Sequence, residues 1–141
     1  MIIEIISLSI LSIFLFFSWL PSSFAKAKYF GREWLLSNRD VAYPRPLPEW
    51  AVRSERAQQN LLYYFPSFAV GILICLQLGI GDTFTAMACM VFVVMRIFHY
   101  FAYMFGMPMF RAQAFIISLI AVVCIYIQIF VFLINGQSIG S

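Results

Sequence analysis

One apolar stretch of the chain carries three polar side chains at helical spacing. Arg96, His99 and Tyr103 stand at i, i+3 and i+7, so a helix would project all three from one face. A guanidinium in the middle of a membrane-spanning helix costs about 2.5 kcal/mol or more unless a polar group or water satisfies it. This stripe is therefore typical of a membrane-embedded site for an anionic or polar ligand.

Arg111 follows the stripe, after a helix break that Gly106 and Pro108 predict. Because Arg111 opens the next predicted helix, its guanidinium would lie near the positive end of that helix dipole. The dipole would add to the attraction for an anion. The alternative is that Arg111 is a topology anchor at the cytoplasmic headgroups.

A second polar stripe opens the preceding helix. Arg56 and Asn60 stand at i and i+4, and either Tyr63 or Tyr64 continues the same face. Stripes from two helices at one depth can satisfy each other or can enclose a ligand. In the structural alternative, the tyrosines anchor at the headgroups and the arginines snorkel to water. Snorkelling suits Arg96 poorly, since it lies about 15 Å from its helix end.

The composition of the whole chain is that of an integral membrane protein. Of its 141 residues, 63% are hydrophobic and 11% are charged, whereas soluble domains have about 25% charged residues. The three cysteines lie in apolar runs without paired spacing, and there is one histidine. We therefore expect neither a disulfide framework nor a metal site. The net charge of +3 is small, and nucleic acid is not an expected partner.

The apolar runs predict four transmembrane helices. Their approximate ranges are 2–25, 49–80, 83–105 and 109–134. The first could instead be a signal peptide with a cleavage site near Ala25, but it carries Glu4 and no basic residue before its apolar core. We therefore expect a retained helix, kinked near Pro21.

The segments between the helices also carry expectations. Residues 26–54 begin as a polar connection, and the proline-rich segment 43–48 cannot be regular helix. Asp82 or Thr83 is the expected N-cap of the third helix. Asn135-Gly136 is the expected end of the fourth.

The charges predict the orientation of the bundle. All nine Lys and Arg residues fall on one side of this layout, whereas Glu4 and Asp82 fall on the other. By the positive-inside rule the basic side is cytoplasmic, and both termini lie on the non-cytoplasmic side. The predicted fold is an all-α integral membrane four-helix bundle that forms a single domain over residues 1–141.

The motifs and this layout together resemble the MAPEG family, the membrane-associated proteins in eicosanoid and glutathione metabolism, in its short bacterial branch. The matching segments are PRPLPEW at 44–50, ERAQQN at 55–60 followed by Pro66, and RIFHYFAY at 96–103 followed by a short turn and Arg111. The resemblance covers nearly the whole chain. It implies a homotrimer in the bacterial inner membrane, with three sites for glutathione between neighbouring protomers near the cytoplasmic face.

The resemblance also assigns roles to individual residues. Arg111 matches the arginine that lies against the glutathione sulfur, which makes it the catalytic candidate. The positions that resemble the glutathione-binding ones are Arg56, Gln58, Asn60, Tyr63, Arg96, His99 and Tyr103. Tyr63 stands where members of the family commonly carry a glutamate, and Glu55 is the nearby acid that could replace that carboxylate.

The implied function is a glutathione-dependent transferase or peroxidase that acts on lipophilic electrophiles or hydroperoxides. The alternative is a non-catalytic membrane scaffold or accessory protein on the same fold, which binds a lipid or a partner protein. Tyr63 favours this alternative, together with its aromatic neighbours Tyr64, Phe65 and Phe68. A transporter is disfavoured because the polar groups lie on one side rather than at the midplane.

Overall fold

The computed structural model describes residues 1–38 and 45–137, and all regular secondary structure within them is helical. The helices are α1 Ile2–Phe17, α2 Leu20–Phe30, α3 Arg32–Leu36, α4 Glu49–Leu78, α5 Thr83–Met104 and α6 Pro108–Gln137. Four segments are long and apolar enough to cross a membrane: Ile2–Phe30, Glu49–Leu78, Thr83–Met104 and Pro108–Gly136. The predicted all-α bundle of four transmembrane helices is confirmed. Tyr43 and Pro44, which begin the predicted proline-rich segment, lie outside the described residues.

The third span, α5, is the central helix of the bundle. It packs against α1, α4 and α6. Half of its most apolar 18-residue segment is buried, compared with 22–28% of the corresponding segments in the other spans. Phe92 of α5 stacks on Phe68 of α4 with ring centroids 4.3 Å apart, and both are fully buried. Polar side chains on α5 are therefore shielded from lipid by the three neighbouring helices.

The first span is interrupted where its proline predicts a kink. α1 ends at Phe17 and α2 begins at Leu20, with Pro21 in its first turn. Proline has no N–H to donate to the carbonyl four residues earlier, that of Phe17, so the helix breaks just before it. The span then continues to Phe30, beyond the predicted end near residue 25, because no breaker follows until Gly31, whose φ is +84°.

A buried tyrosine ties this interruption to the rest of the bundle. The hydroxyl of Tyr100 on α5 donates to the backbone carbonyl of Ser18 over 2.6 Å. The hydroxyl of Ser54 on α4 lies 2.8 Å from the same phenolic oxygen. The ring of Phe14 meets that of Tyr100 edge-on at 5.2 Å. Three spans are thus joined at one polar point inside the bundle.

The turn between α4 and α5 is stabilised by a C-cap at the end of α4 and an N-cap at the start of α5. Gly79 ends α4 in the left-handed conformation, at φ 72°, and Ile80 donates its N–H to the Cys75 carbonyl over 2.8 Å. Asp82, rather than Thr83, is the N-cap of α5 and accepts from the Thr85 N–H at 2.7 Å. Bonds from the Thr85 N–H and hydroxyl hold the pKa of the Asp82 carboxyl below its usual value.

The fourth span begins and ends within a few residues of its expected bounds. Gly106, at φ 74°, makes the turn after α5, and Pro108 occupies the first position of α6. The helix continues to Gln137, so the expected stop at Asn135-Gly136 does not end it. Among the described residues no disulfide forms: Cys75 and Cys89 are buried packing residues, and Cys124 is half-buried.

Candidate functional site

A cleft with a volume of about 340 Å³ lies between α4, α5 and α6. That volume is within the range of about 300–1,000 Å³ typical of small-molecule sites. Its walls are formed by Asn60, His99, Tyr103, Arg111, Ala112, Phe115 and Ile116. Four of the residues predicted to form a site therefore meet at one cleft, although they come from three helices.

Arg96 lies behind the wall of this cleft and is only 1% exposed. Its Nη1 donates to Oδ1 of Asn60 at 3.1 Å, and its guanidinium carbon lies 4.4 Å from the centre of the Tyr64 ring. Within the described ranges, its Nε and Nη2 have no hydrogen-bond partner. A buried donor left unpaired costs about 1–3 kcal/mol or more. An acceptor that reached Nε or Nη2 of Arg96 would therefore form a strong hydrogen bond.

Aromatic rings fix the positions of His99 and Arg111. His99 is 4% exposed and lies between the rings of Tyr103 and Phe115, with centroids 5.9 Å away in each case. The guanidinium of Arg111 lies over the Tyr103 ring, 4.6 Å from its centre, in cation–π geometry. As far as the chain is described, that guanidinium has no protein hydrogen-bond acceptor, so its donors are free for an anion.

No carboxylate forms part of the cleft wall among the described residues. Glu55, the acid that could replace the missing family glutamate, forms an ion pair with Lys26 at 2.7 Å. Tyr63 itself is 79% exposed and does not line the cleft. The cleft is therefore rich in donors, with two guanidinium groups in or behind its wall and no acid beside them.

Three of the predicted site residues do not reach this cleft in a single protomer. Arg56 is exposed, one helical turn before Asn60, and Tyr63 points out of the bundle. Gln58 lines a different cleft, of about 420 Å³, between α1 and α4. Two residues along a helix are rotated by about 200°, so Gln58 and Asn60 must face opposite sides.

Two aromatic residues that are absent from the predicted site residues form part of the site. Tyr64 packs on Arg96, and the spacing left it open whether Tyr63 or Tyr64 shares the face of Arg56 and Asn60. Phe115 contacts both Arg96 and His99, and its place one helical turn after Arg111 was the available signal. No group of three potential metal ligands occurs among the described residues.

Comparison with known proteins gives one family. The model of the MAPEG family matches residues 4–131, a range that contains every residue of the cleft wall. No curated protein and no solved structure matches the chain significantly.

Proposed function

The chain belongs to the MAPEG family of membrane proteins of eicosanoid and glutathione metabolism, and we propose that it is a glutathione-dependent transferase or peroxidase acting on lipophilic electrophiles or hydroperoxides. The observation that carries this proposal is the position of Arg111. Its guanidinium lies in the cleft wall, is held by the Tyr103 ring and has no acceptor in the described protein. A cation so placed stabilises an anion that enters the cleft.

The donors around the cleft fit the charges of glutathione. The tripeptide has two carboxylates and a thiol, and guanidinium groups bind carboxylates with two parallel hydrogen bonds. Arg96 has two donor atoms unpaired, and the amide of Asn60 faces the cleft beside it. The absence of an acid from the described wall supports an anionic ligand rather than a cationic one.

Each residue then has a distinct task. Glutathione supplies the thiol, whose pKa in water is near 8.5, and Arg111 holds it as the thiolate. A fixed guanidinium in a partly dry site lowers a thiol pKa by roughly two units, or about 2.7 kcal/mol. His99 and Tyr103 orient the peptide, and Arg96, held by Asn60, binds a carboxylate.

The acceptor substrate enters from the lipid. Phe115 and Ile116 form the apolar part of the cleft wall, and Ile116 is 55% exposed on the side of α6 that would face the bilayer. A lipophilic electrophile or hydroperoxide dissolved in the membrane can thus reach the sulfur without crossing water. This arrangement favours substrates that partition into the bilayer.

We further propose that the complete site forms in a homotrimer. Gln58 faces a different cleft from Asn60, so it can serve the Asn60 cleft only of a neighbouring copy. Arg56, exposed one helical turn before Asn60, is the second donor to a carboxylate of glutathione. We place the basic end of the bundle at the cytoplasmic face of a bacterial inner membrane, with both termini on the opposite side. Residues 1–141 form one domain in this arrangement.

Thiolate absorbance on adding glutathione to the purified protein tests the proposal. We expect the signal in the wild type and its loss in Arg111→Leu. Arg32→Leu removes an exposed arginine that does not line the cleft and should keep the signal, which makes it the matched control. A folded wild-type protein that neither binds glutathione in titration calorimetry nor forms the thiolate would overturn the proposal.

A second candidate function rests on Tyr63. This chain has an exposed tyrosine where the family commonly has a glutamate, and its nearest substitute, Glu55, is paired with Lys26. A non-catalytic scaffold that binds a lipid or a partner protein would explain both facts. Native mass spectrometry of the protein from its host membrane separates the two functions, because a scaffold carries a lipid or protein with it and no glutathione.

A further inference from the structure

A second, smaller cleft shares Tyr103 and Arg111 with the first and lies where α4 meets the turn between α5 and α6. Its volume is about 250 Å³, and its polar walls come from Arg53, Tyr103 and Arg111. The glutathione proposal gives this cleft no role. It is a space beside two guanidinium groups from different helices, and no described carboxylate lines it.

Arg53 is fixed in this cleft by its surroundings. Its Nε donates to the Met104 carbonyl near the end of α5 at 3.1 Å, and its Nη1 pairs with Glu49 at 2.8 Å. A Cβ at Gly106 would lie 3.3 Å from the guanidinium carbon, so the glycine lets Arg53 lie close against the turn. The remaining nitrogen, Nη2, has no protein acceptor in the described part of the chain.

We propose that this cleft binds a phosphate group, with Arg53 and Arg111 as its paired donors. Guanidinium groups match the oxygens of phosphate with parallel hydrogen bonds, and both arginines keep donors unused by the protein. The volume equals that of about eight water molecules in the liquid, which accommodates a phosphate and some of its hydration. Glu49 is the acid that pairs with Arg53, and its side chain is 87% exposed, so solvent screens this pairing.

The phosphate can come from a phospholipid headgroup or from free phosphate. The apolar wall of the cleft, formed by Met107 and Pro108, continues into the exposed side chains of Met109 and Phe110. Acyl chains attached to a bound phosphate could lie along this surface. The cleft also lies at the basic end of the bundle, where anionic headgroups concentrate.

Binding by the purified full-length chain in detergent tests this site. Native mass spectrometry would follow added phosphatidylglycerol, with diacylglycerol of the same chains as the probe without phosphate. Equilibrium dialysis would follow inorganic phosphate. Binding of phosphatidylglycerol alone identifies a headgroup site, and binding of both phosphate probes identifies a site for phosphate itself.

Three variants connect the binding to the cleft. We expect Arg53→Gln to lose at least tenfold in affinity for whichever phosphate probe binds, whereas Arg32→Gln, an exposed arginine elsewhere, keeps it. Glu49→Gln, at an exposed position that does not threaten folding, should bind about threefold more tightly because a competing carboxylate is gone. Equal retention of phosphatidylglycerol and diacylglycerol overturns the site. So does an affinity for the phosphate probe that is unchanged in Arg53→Gln, or one that is unchanged in Glu49→Gln. Neither probe depends on glutathione, so failure of the proposed function leaves the test intact.

Discussion

Nη1 of Arg96 donates to Oδ1 of Asn60 across 3.1 Å, and this bond joins α5 to α4 behind the cleft. Asn60→Ala would leave the buried guanidinium without that acceptor. We expect this variant to lose about 1–2 kcal/mol of stability against unfolding in sodium dodecyl sulfate, since interhelical hydrogen bonds in membranes contribute on that scale. Gln59→Ala, an exposed neighbour on the same helix, is the control. An unchanged unfolding free energy in Asn60→Ala would show that the bond contributes nothing.

Arg96→Met should separate stability from binding. Methionine fills a similar space without a charge, and it removes the cost of burying a guanidinium whose Nε and Nη2 have no partner in the described ranges. We expect the same or higher unfolding free energy, but at least tenfold weaker glutathione binding in calorimetry. In the Asn60→Ala background the Met substitution should recover the lost stability. A variant with a lower unfolding free energy that binds glutathione as tightly as the wild type would contradict both expectations.

Tyr100→Phe tests the polar point that joins three spans. The change removes the donor to the Ser18 carbonyl and the partner of Ser54 while the ring stays in place. A loss of about 1 kcal/mol is expected in the same unfolding measurement. Tyr29→Phe is the matched control, because its side chain is 37% exposed. Equal unfolding free energies of the two variants would mean that the buried Tyr100 hydroxyl does not contribute to stability.

Gly71 tests how closely α4 and α6 approach. A Cβ added there meets side-chain atoms of Ile125 and Tyr126 at 3.4 Å, which is ordinary contact. Gly71→Ala should therefore fit and gain up to about 1 kcal/mol from helix propensity. Gly71→Leu has no room and should lose about 1–3 kcal/mol. The thermal unfolding midpoints of the two variants should move in opposite directions, and a shared direction would show that the helices adjust their distance freely.

Asp82 predicts an acid-dependent stability. The pKa of its carboxyl is lowered in the folded protein, so its stabilising contribution is complete above the ordinary carboxyl pKa of about 3.9. That contribution is lost as the pH falls from there through the lowered folded value. We expect the unfolding free energy of Asp82→Ala to be about 1 kcal/mol lower than that of the wild type at pH 7. Below about pH 4, the unfolding free energy of the variant should fall less with decreasing pH than that of the wild type. Unfolding followed by circular dichroism at several pH values measures this, and parallel pH curves would contradict it.

Much of the fold could be predicted because lipid imposes simple rules on a chain. The lengths of the apolar runs set the four spans, and Asp82, Gly79 and Gly106 set their junctions. The C-terminal end of the first span was predicted less accurately than the ends of the other three. Its break depends on Pro21, but the length of helix beyond the break depends on where the next breaker stands. Lys26 consequently lies within α2, where it pairs with Glu55.

The candidate site could also be predicted only in part. Helical spacing predicts that His99 and Tyr103 share a wall, and the structure places Asn60 and Arg111 with them. Spacing predicts that Gln58 and Asn60 face opposite sides of α4, but it does not show that Gln58 lines a cleft of its own against α1. It also could not show that Tyr64, rather than Tyr63, packs on Arg96, because either tyrosine satisfies the helical period.

The burial of Arg96 has a consequence for how the protein enters the membrane. Its guanidinium is covered by Tyr64 from α4 and by Phe115 from α6, and an isolated α5 would expose it to hydrocarbon at a cost of about 2.5–3.5 kcal/mol. The third span should therefore leave the translocon poorly by itself. We expect biogenesis to release α4, α5 and α6 together, as one cooperative insertion unit.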